Sequence, residues 1–381
     1  MDTVQKKKLL ESAPNPYLPA KLPIDTRKIV YSSDEILKLL SDADSLLGGY
    51  NWFLRTLSNP TLLISPITTQ EAVLSSKLEG THATLEDILN HEAGNETGIQ
   101  EDELWEIINY RNALFYALDN ITPRDQLSNP NSKSPLTLKI IKEMHKILLS
   151  NVRGSTKHPG QFKIDQNYIG SYEQISYTPV PPELTDTYMG NLENYIHQNE
   201  PNILVQTAII HAQFEMIHPF EDGNGRIGRL LIPLFLYYSG KIFTPTFYMS
   251  SFFEHDRALY LQMLSNISCN NDWIGWIRYF LSGIITQAKT NIQKVQKILA
   301  LYNSYKSKSD TIRSVYYVQV LDYIFEHPIF TVSMLNKNIN TSRQTLYNLL
   351  KKMQENGIPL DIPNPKKKEK TFICRELLNL I

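Results

Sequence analysis

His218-Pro219-Phe220-Glu221-Asp222-Gly223-Asn224-Gly225-Arg226-Ile227-Gly228-Arg229 stands between two helical patterns in a chain of 381 residues. Helical spacing enters it through His211-Ala212-Gln213-Phe214-Glu215-Met216-Ile217 and continues beyond it to Leu236. Gly223-Asn224-Gly225 reads as a flexible turn opening the second helix, where backbone amides and the positive helix end converge into an anion cradle. Arg226 and Arg229, three apart on the first turn, share a face and offer two guanidinium forks to further phosphate oxygens. Asp222 stands just before the cradle, and a single protein carboxylate suits magnesium, which keeps waters and phosphate oxygens as its other ligands. His218 is the nearby group whose unperturbed pKa suits a base near neutrality. Cradle, metal carboxylate and base together describe transfer from a nucleoside triphosphate to a nucleophile. A lone Gly-Asn-Gly is usually only a turn. Seven specified residues plus an acid, however, recur by chance in fewer than about one in ten million chains of this length.

Outward from this stretch the chain is mostly helical. Residues 1–30 mix Pro14, Pro16, Pro19 and Pro23 without a period, as in an extended surface arm. From Asp34 to about Leu118 apolar positions recur at three and four, as in Ile36, Leu39, Leu40 and later Leu104, Ile107, Ile108 and Leu114. Within this region Thr68-Thr69-Gln70-Glu71 reads as a capping box opening a helix that Gly80 ends. Leu138, Ile141, Met144, His145 and Leu148 share one face of a helix spanning Leu136 to Leu149. Glycines and prolines punctuate Arg153 to Pro182, and the short runs Gln161–Ile164 and Gln174–Tyr177 predict a β-hairpin flap between helices. Helices resume to about Leu301, with no internal repeat.

A polar link over Lys306–Asp310 leads to a separate tail. There helices are predicted from Val315 to Phe325, from Thr331 to Asn338, and from Thr341 to Asn356, the last capped by Thr341-Ser342 and ended by Gly357. Pro363-Asn364-Pro365-Lys366-Lys367-Lys368 reads as a turn between two strands of a wing.

Hydrophobic residues at 42% and charged residues at 20% exclude the composition of disorder, and 38 basic against 39 acidic residues exclude a globally basic nucleic-acid binder. Cys269 and Cys374 are too few for a disulfide framework or a zinc site of their own. Met1–Gln5 runs straight into Lys6-Lys7-Lys8 without an apolar stretch, so no signal peptide is expected. The most apolar run, Leu230 to Tyr238, falls far short of the ~20 residues that span a bilayer, so we expect no membrane partner and a cytoplasmic protein with reduced cysteines.

His218 through Arg229 resembles the signature of the Fic family, His-x-Phe-x-(Asp/Glu)-Gly-Asn-Gly-Arg-x-x-Arg, and matches it at every specified position. The resemblance implies an all-α core with a small β-hairpin flap. It also implies transfer of AMP from ATP to a Ser, Thr or Tyr hydroxyl of a target protein, the chain itself included, with release of pyrophosphate. In that reading His218 resembles the base and Asp222 the ligand of a Mg2+ ion bridging the α- and β-phosphates. Gly223, Asn224, Gly225 and Arg226 resemble the anion hole, Arg229 the γ-phosphate contact, and Gly228 joins the nucleotide-binding positions. His211 is expected to be structural. Tyr260 falls where family members often place an adenine contact, and is equally a core aromatic.

Ser75-x-x-x-Glu79-Gly80 resembles the family's inhibitory motif, placed amino-terminal to the core as in one of its three classes. The implied device is electrostatic: Glu79 would pair with Arg229 and occupy the fork that the γ-phosphate needs. The flap would pair with an extended target segment by main-chain hydrogen bonds, although an ordinary surface hairpin has the same sequence pattern. The tail resembles a winged helix. Its third helix offers Arg343, Gln344, Tyr347 and Lys351, and its wing Lys366, Lys367, Lys368 and Lys370, to phosphates or to a protein.

The division so predicted is a helical region with the inhibitory helix over 1–105, the catalytic core over 106–300 and the winged helix over 311–381. Two alternatives stay open. One is a DNA-binding regulator whose core senses nucleotide; the other is a Fic-type enzyme that moves another group or removes AMP. Either is compatible with an oligomer.

Overall fold

Amphipathic and fully apolar helices dominate the computed structural model, which describes residues 11–30, 33–55, 61–170, 174–363 and 369–381. Its contacts divide the chain into two compact units. The first runs to Gly49 and resumes over Asn109–Gln287; the second comprises Tyr50–Ile108 and Ala288–Ile381. The boundaries fall inside helices α2 (Asp34–Arg55), α5 (Glu101–Asn120) and α12 (Trp273–Lys306).

In the first unit the short α1 (Thr26–Val30) precedes α2, and the part of α5 after Asn109 is followed by α6 (Leu138–Leu148). The β1 (Ile169–Gly170) and β2 (Ile175–Tyr177) pair comes next, then α7 (Pro182–His197), α8 (Ile203–Ile217), α9 (Asn224–Tyr238), α10 (Ser250–His255) and α11 (Arg257–Asn270). α8 is buried everywhere except Ile203 and Glu215, which is the pattern of a central helix rather than a surface one. Asn202 fixes its start by accepting from the Leu204 and Val205 amides at 2.9 and 3.1 Å. α9 packs along α8, and its run Leu230–Leu236 is completely or almost completely buried.

The amino-terminal arm lies on this unit. The Tyr17 amide donates to the Thr178 carbonyl at 2.8 Å, Leu22 exchanges two hydrogen bonds with the Asn191 side chain, and Gln213 donates to the Ala20 carbonyl. The hairpin is narrower than the sequence pattern suggests. β1 and β2 pair antiparallel, but Gln161–Ile164 forms no strand, because the Lys163 amide bonds instead to the Pro219 carbonyl at 2.8 Å.

The second unit holds α3 (Thr61–Leu78), α4 (Leu85–Glu92) and the carboxyl-terminal elements α13 (Ser309–Ile312), α14 (Tyr317–Glu326), β3 (Ile329–Thr331), α15 (Val332–Asn338), α16 (Arg343–Glu355), β4 (Thr371–Ile373) and α17 (Arg375–Leu378). The capping box expected at Thr68 is not formed. α3 already begins at Thr61, so Thr68 and Thr69 lie buried inside it, and the Thr69 hydroxyl donates back to the Ser65 carbonyl at 3.0 Å. Gly80 does end the helix, at φ 96°, with the Thr81 amide returning to the Ser76 carbonyl.

The units interleave the sequence, because distant segments share one core. α14 packs on α3, and Leu89 of α4 and Ala93, its C-cap, join Ile329 and Ile373 of the strands. Arg375 binds both carboxylate oxygens of Glu86 at 2.9 Å. In the tail, β3 and β4 pair in register Phe330↔Phe372, Asp361 bridges to Ile373, and Ser342 caps α16 through the Thr345 amide. Lys366, Lys367 and Lys368, expected in the wing, lie outside the described residues. No helix among the described residues is long and apolar enough to cross a membrane.

Candidate active site

The turn between α8 and α9 carries the predicted signature. His218 takes the C-cap position of α8 in the left-handed region, φ 50° and ψ 61°, with its amide bonded to the Phe214 carbonyl at 2.9 Å. Such a conformation costs a non-glycine residue on the order of 1–3 kcal/mol, so surrounding bonds must hold it. The half-buried imidazole sets Nδ1 3.3 Å from the Glu215 carbonyl. That contact places the neutral ring's proton on Nδ1 and its lone pair on Nε2.

Gly223 opens α9 at φ 76° and ψ 4°, and no side chain caps the first turn. A side chain at Gly223 would be strained, and its Cβ would crowd Leu148 Cδ2 at 3.2 Å. Asn224 is 2% exposed and is spent on the turn itself, accepting from the Phe220 amide at 2.8 Å and donating to its carbonyl at 2.7 Å. Arg226 and Arg229 are 1% and 3% exposed. Asp222 accepts from the Gly223 amide at 2.6 Å and lies 3.7 Å from Arg226, with 39% of its side chain exposed. Glu221 beside it binds His158 Nδ1 at 2.8 Å.

Gly228 has a steric role. A Cβ there would meet Glu215 Oε1 at 2.1 Å and Phe214 Cδ1 at 3.2 Å, so it lets α9 approach α8. His211 is fully enclosed, with Nδ1 2.9 Å from the Gly228 carbonyl and Nε2 3.0 Å from the Tyr260 hydroxyl; burial pushes its pKa down to about 3. It ties α8 to α9 as a neutral donor and acceptor. Tyr260 itself is 4% exposed, its ring stacked on Phe253 at 4.4 Å. Ser75 is buried in the last turns of α3, and Glu79 is exposed just beyond its end. Both belong to the second unit, and the His218–Arg229 turn to the first.

Several residues that shape the site escape the sequence motif. His145 of α6 is 0% exposed, stacks on Phe220 at 3.8 Å, accepts from the Gly160 amide and sets Nε2 2.9 Å from the Asp222 carbonyl. Burial pushes its pKa down to about 4, so the ring is neutral, with Nε2 as the donor. A polar residue on the apolar face of α6 was the available signal, since a buried imidazole needs partners. Gly154, at φ 90°, lets the loop approach so closely that a Cβ would stand 2.7 Å from Asp222 Oδ2. Lys163 and Asn167 reach the same turn from the loop preceding β1. No spacing rule marks them.

The metal that the signature implies must suit a sparse protein ligand set. Among the described residues no cluster of three His, Cys, Asp or Glu side chains forms a cage, and the partly exposed Asp222 stands at the mouth of the cradle. That donor set fits a cation arriving with phosphate oxygens and waters, as magnesium does.

Residues 135–236 match the model of the Fic/DOC family, and residues 37–119 match that of the Fic/DOC family N-terminal region. Among curated relatives, the protein adenylyltransferase fic-1 of Caenorhabditis briggsae is 31% identical over 103 residues, covering 26% of this chain and 19% of the relative. The protein adenylyltransferase Fic of Drosophila mojavensis is 33% identical over 108 residues, covering 28% and 20%. The chain thus spans about a fifth of the length of the curated relatives it matches. A Fic family protein from Desulfovibrio desulfuricans G20 superposes over 94% of this chain and 98% of its own, with a TM-score of 0.59 and 19% identity. Fic-1 of Caenorhabditis elegans, residues 134–508, covers 72% and 79% with a TM-score of 0.54 and 20% identity. The chain therefore has the fold of Fic-family proteins, and its residues 135–236 and 37–119 are similar to the Fic/DOC family and to that family's N-terminal region.

Proposed function

We propose that the chain is a protein adenylyltransferase, a nucleotidyltransferase that moves AMP from ATP to a hydroxyl of a target protein. The supporting observation is the turn from His218 to Asn224, which sets an imidazole, a carboxylate and an uncapped helix start carrying two buried arginines within twelve consecutive residues. The backbone amides from Asn224 to Arg226 would receive phosphate oxygens at the positive end of α9, and that of Gly223 would join them once Asp222 turns to the magnesium. Arg229 would bind the γ-phosphate. Asp222 would hold magnesium, which when bound supplies charge neutralisation to the phosphates. His218 would take the proton of the target hydroxyl on Nε2 as that oxygen bonds to the α-phosphorus and the bond to the β-phosphate oxygen breaks, releasing pyrophosphate. Tyr260 enters only through its small exposed edge, as a candidate wall for the adenine.

The same proposal includes restraint by the α3 segment. Glu79, supported on the helix that buries Ser75, would pair with Arg229 in the resting state and withhold the γ-phosphate site. A charge-assisted pair of this kind is worth about 1.5–3 kcal/mol, which shifts productive ATP binding about ten- to a hundredfold. The relatives' printed names, all protein adenylyltransferases, support the transfer and say nothing of the restraint.

The test is incubation of wild type, Glu79→Gly and His218→Ala with α-labelled ATP and magnesium in host lysate, with mass spectrometry of labelled bands. AMP on protein in the Glu79→Gly reaction, absent with His218→Ala, supports the proposal. A band shift with duplex DNA that His218→Ala leaves unchanged, without labelling, would favour the regulator whose α16 exposes Arg343 and Gln344. Loss of AMP from pre-labelled protein would favour removal instead.

A further inference from the structure

Helix ends leave carbonyls without intrahelical partners, and the end of α8 also carries the strained His218. Four successive carbonyls there are bound by side chains and backbone from outside α8. The Ile217 carbonyl accepts from Lys163 Nζ at 3.3 Å, and that of His218 from Lys163 Nζ at 2.9 Å and Asn167 Nδ2 at 3.1 Å. The Pro219 carbonyl accepts from the Lys163 amide at 2.8 Å, and that of Phe220 from Asn167 Nδ2 at 2.8 Å and Asn224 Nδ2 at 2.7 Å.

The two side chains are joined to each other, since Lys163 Nζ also donates to Asn167 Oδ1 at 2.8 Å. Lys163 is 3% exposed. Its three acceptors, Ile217 O, His218 O and Asn167 Oδ1, match the three N–H bonds of an ammonium, and the negative end of α8 favours that charge. Burial opposes it and pushes the pKa down to about 7. Enclosing an ammonium among neutral amide oxygens is costly, and here it is enclosed at the turn that holds the imidazole.

We propose that Lys163 and Asn167 are positioning residues that lock the His218–Phe220 turn, and with it the imidazole, onto the loop leading into the hairpin. The proposal rests on the transferase reading for its catalytic consequence but not for the lock itself. Without the ammonium, the left-handed His218 keeps its Asn167 bond but loses the Lys163 bonds to its own and the Ile217 carbonyls that help offset its strain, and the base wanders from its place relative to the cradle.

The test compares Lys163→Met, Lys163→Arg and Asn167→Asp in the Glu79→Gly background by AMP-transfer kinetics and amide hydrogen exchange. In Lys163→Met, kcat falls on the order of ten- to a hundredfold while KM for ATP holds, as misplacement of a base demands. Lys163→Arg recovers part of that loss, because the guanidinium keeps the charge and the donors. Exchange quickens in the peptide containing His218 and Phe220 and stays slow in α9.

Unchanged kcat together with unchanged exchange in Lys163→Met overturns the proposal, as does a rise in KM for ATP at constant kcat. Should Lys163→Met fail to fold, Asn167→Asp removes the two donors to the turn, keeps an acceptor for Lys163, and is judged by the same measures. A parent protein that transfers no AMP would refute the transferase reading, and exchange alone would then decide the lock.

Discussion

His145→Phe separates shape from hydrogen bonding at the base of the site. The substitution keeps a ring stacked on Phe220, where the imidazole now lies at 3.8 Å and 7°. It removes the acceptor of the Gly160 amide and the donor to the Asp222 carbonyl, both at 2.9 Å. Both groups are only partly buried, so water recovers part of the about 1–3 kcal/mol that each lost bond would cost in the interior, and the variant is expected to be about 1–3 kcal/mol less stable at pH 7. Acid should narrow that gap. Burial lowers the His145 pKa from 6.5 to about 4, so the folded state favours the neutral ring. The resulting stability is fully present above pH 6.5 and is lost as pH falls toward 4, amounting to about 2 kcal/mol at pH 5.

His211 contributes a loss of the same sign to both proteins and cancels in the comparison. Calorimetric unfolding of the two proteins at pH 7 and pH 5 checks both halves. Equal stability at pH 7, or a gap that does not shrink on acidification, would show that His145 holds neither group as a neutral ring.

Gly228→Ala drives a methyl toward Glu215 Oε1 at 2.1 Å and the buried Phe214 ring at 3.2 Å. The carboxylate can swing away and the ring cannot, so a loss of about 1–3 kcal/mol in thermal unfolding is expected. Gly154→Ala places a residue at φ 90° with its Cβ 2.7 Å from Asp222 Oδ2. It should raise the magnesium concentration needed for half-maximal ATP binding, read by titration calorimetry, while binding at saturating magnesium changes little. Ser342→Ala removes the cap that accepts the Thr345 amide, and should cost about 1 kcal/mol in the second unit while leaving ATP binding unchanged.

What the sequence could reveal depended on whether the chemistry was local. The run from His218 to Arg229 is contiguous, so the turn that opens α9 follows from its glycines, and the glycine at position 80 announced the end of α3. The start of α3 did not follow, because Thr68 has the residue types of a cap while the preceding apolar turn extends the helix to Thr61. Gln161–Ile164 alternates like a strand, yet the bond from Lys163 to Pro219 belongs to a residue far away in sequence. Lys163 and Asn167 were illegible as site residues for the same reason, and His145 showed only as a polar residue on an apolar face, each binding a backbone group more than fifty positions away. The interleaved units reflect α14 packing on α3, a pairing no local pattern encodes.

On the function proposed here, this turn transfers AMP and Glu79 restrains it. The most direct measurement is the AMP content of protein after reaction with α-labelled ATP and magnesium, compared between wild type, Glu79→Gly and Glu79→Gly/His218→Ala. The expected result is labelling that rises about ten- to a hundredfold on removal of the carboxylate and disappears with the imidazole. Labelling that Glu79→Gly does not raise would contradict the restraint, and labelling that survives His218→Ala would contradict the assignment of the base.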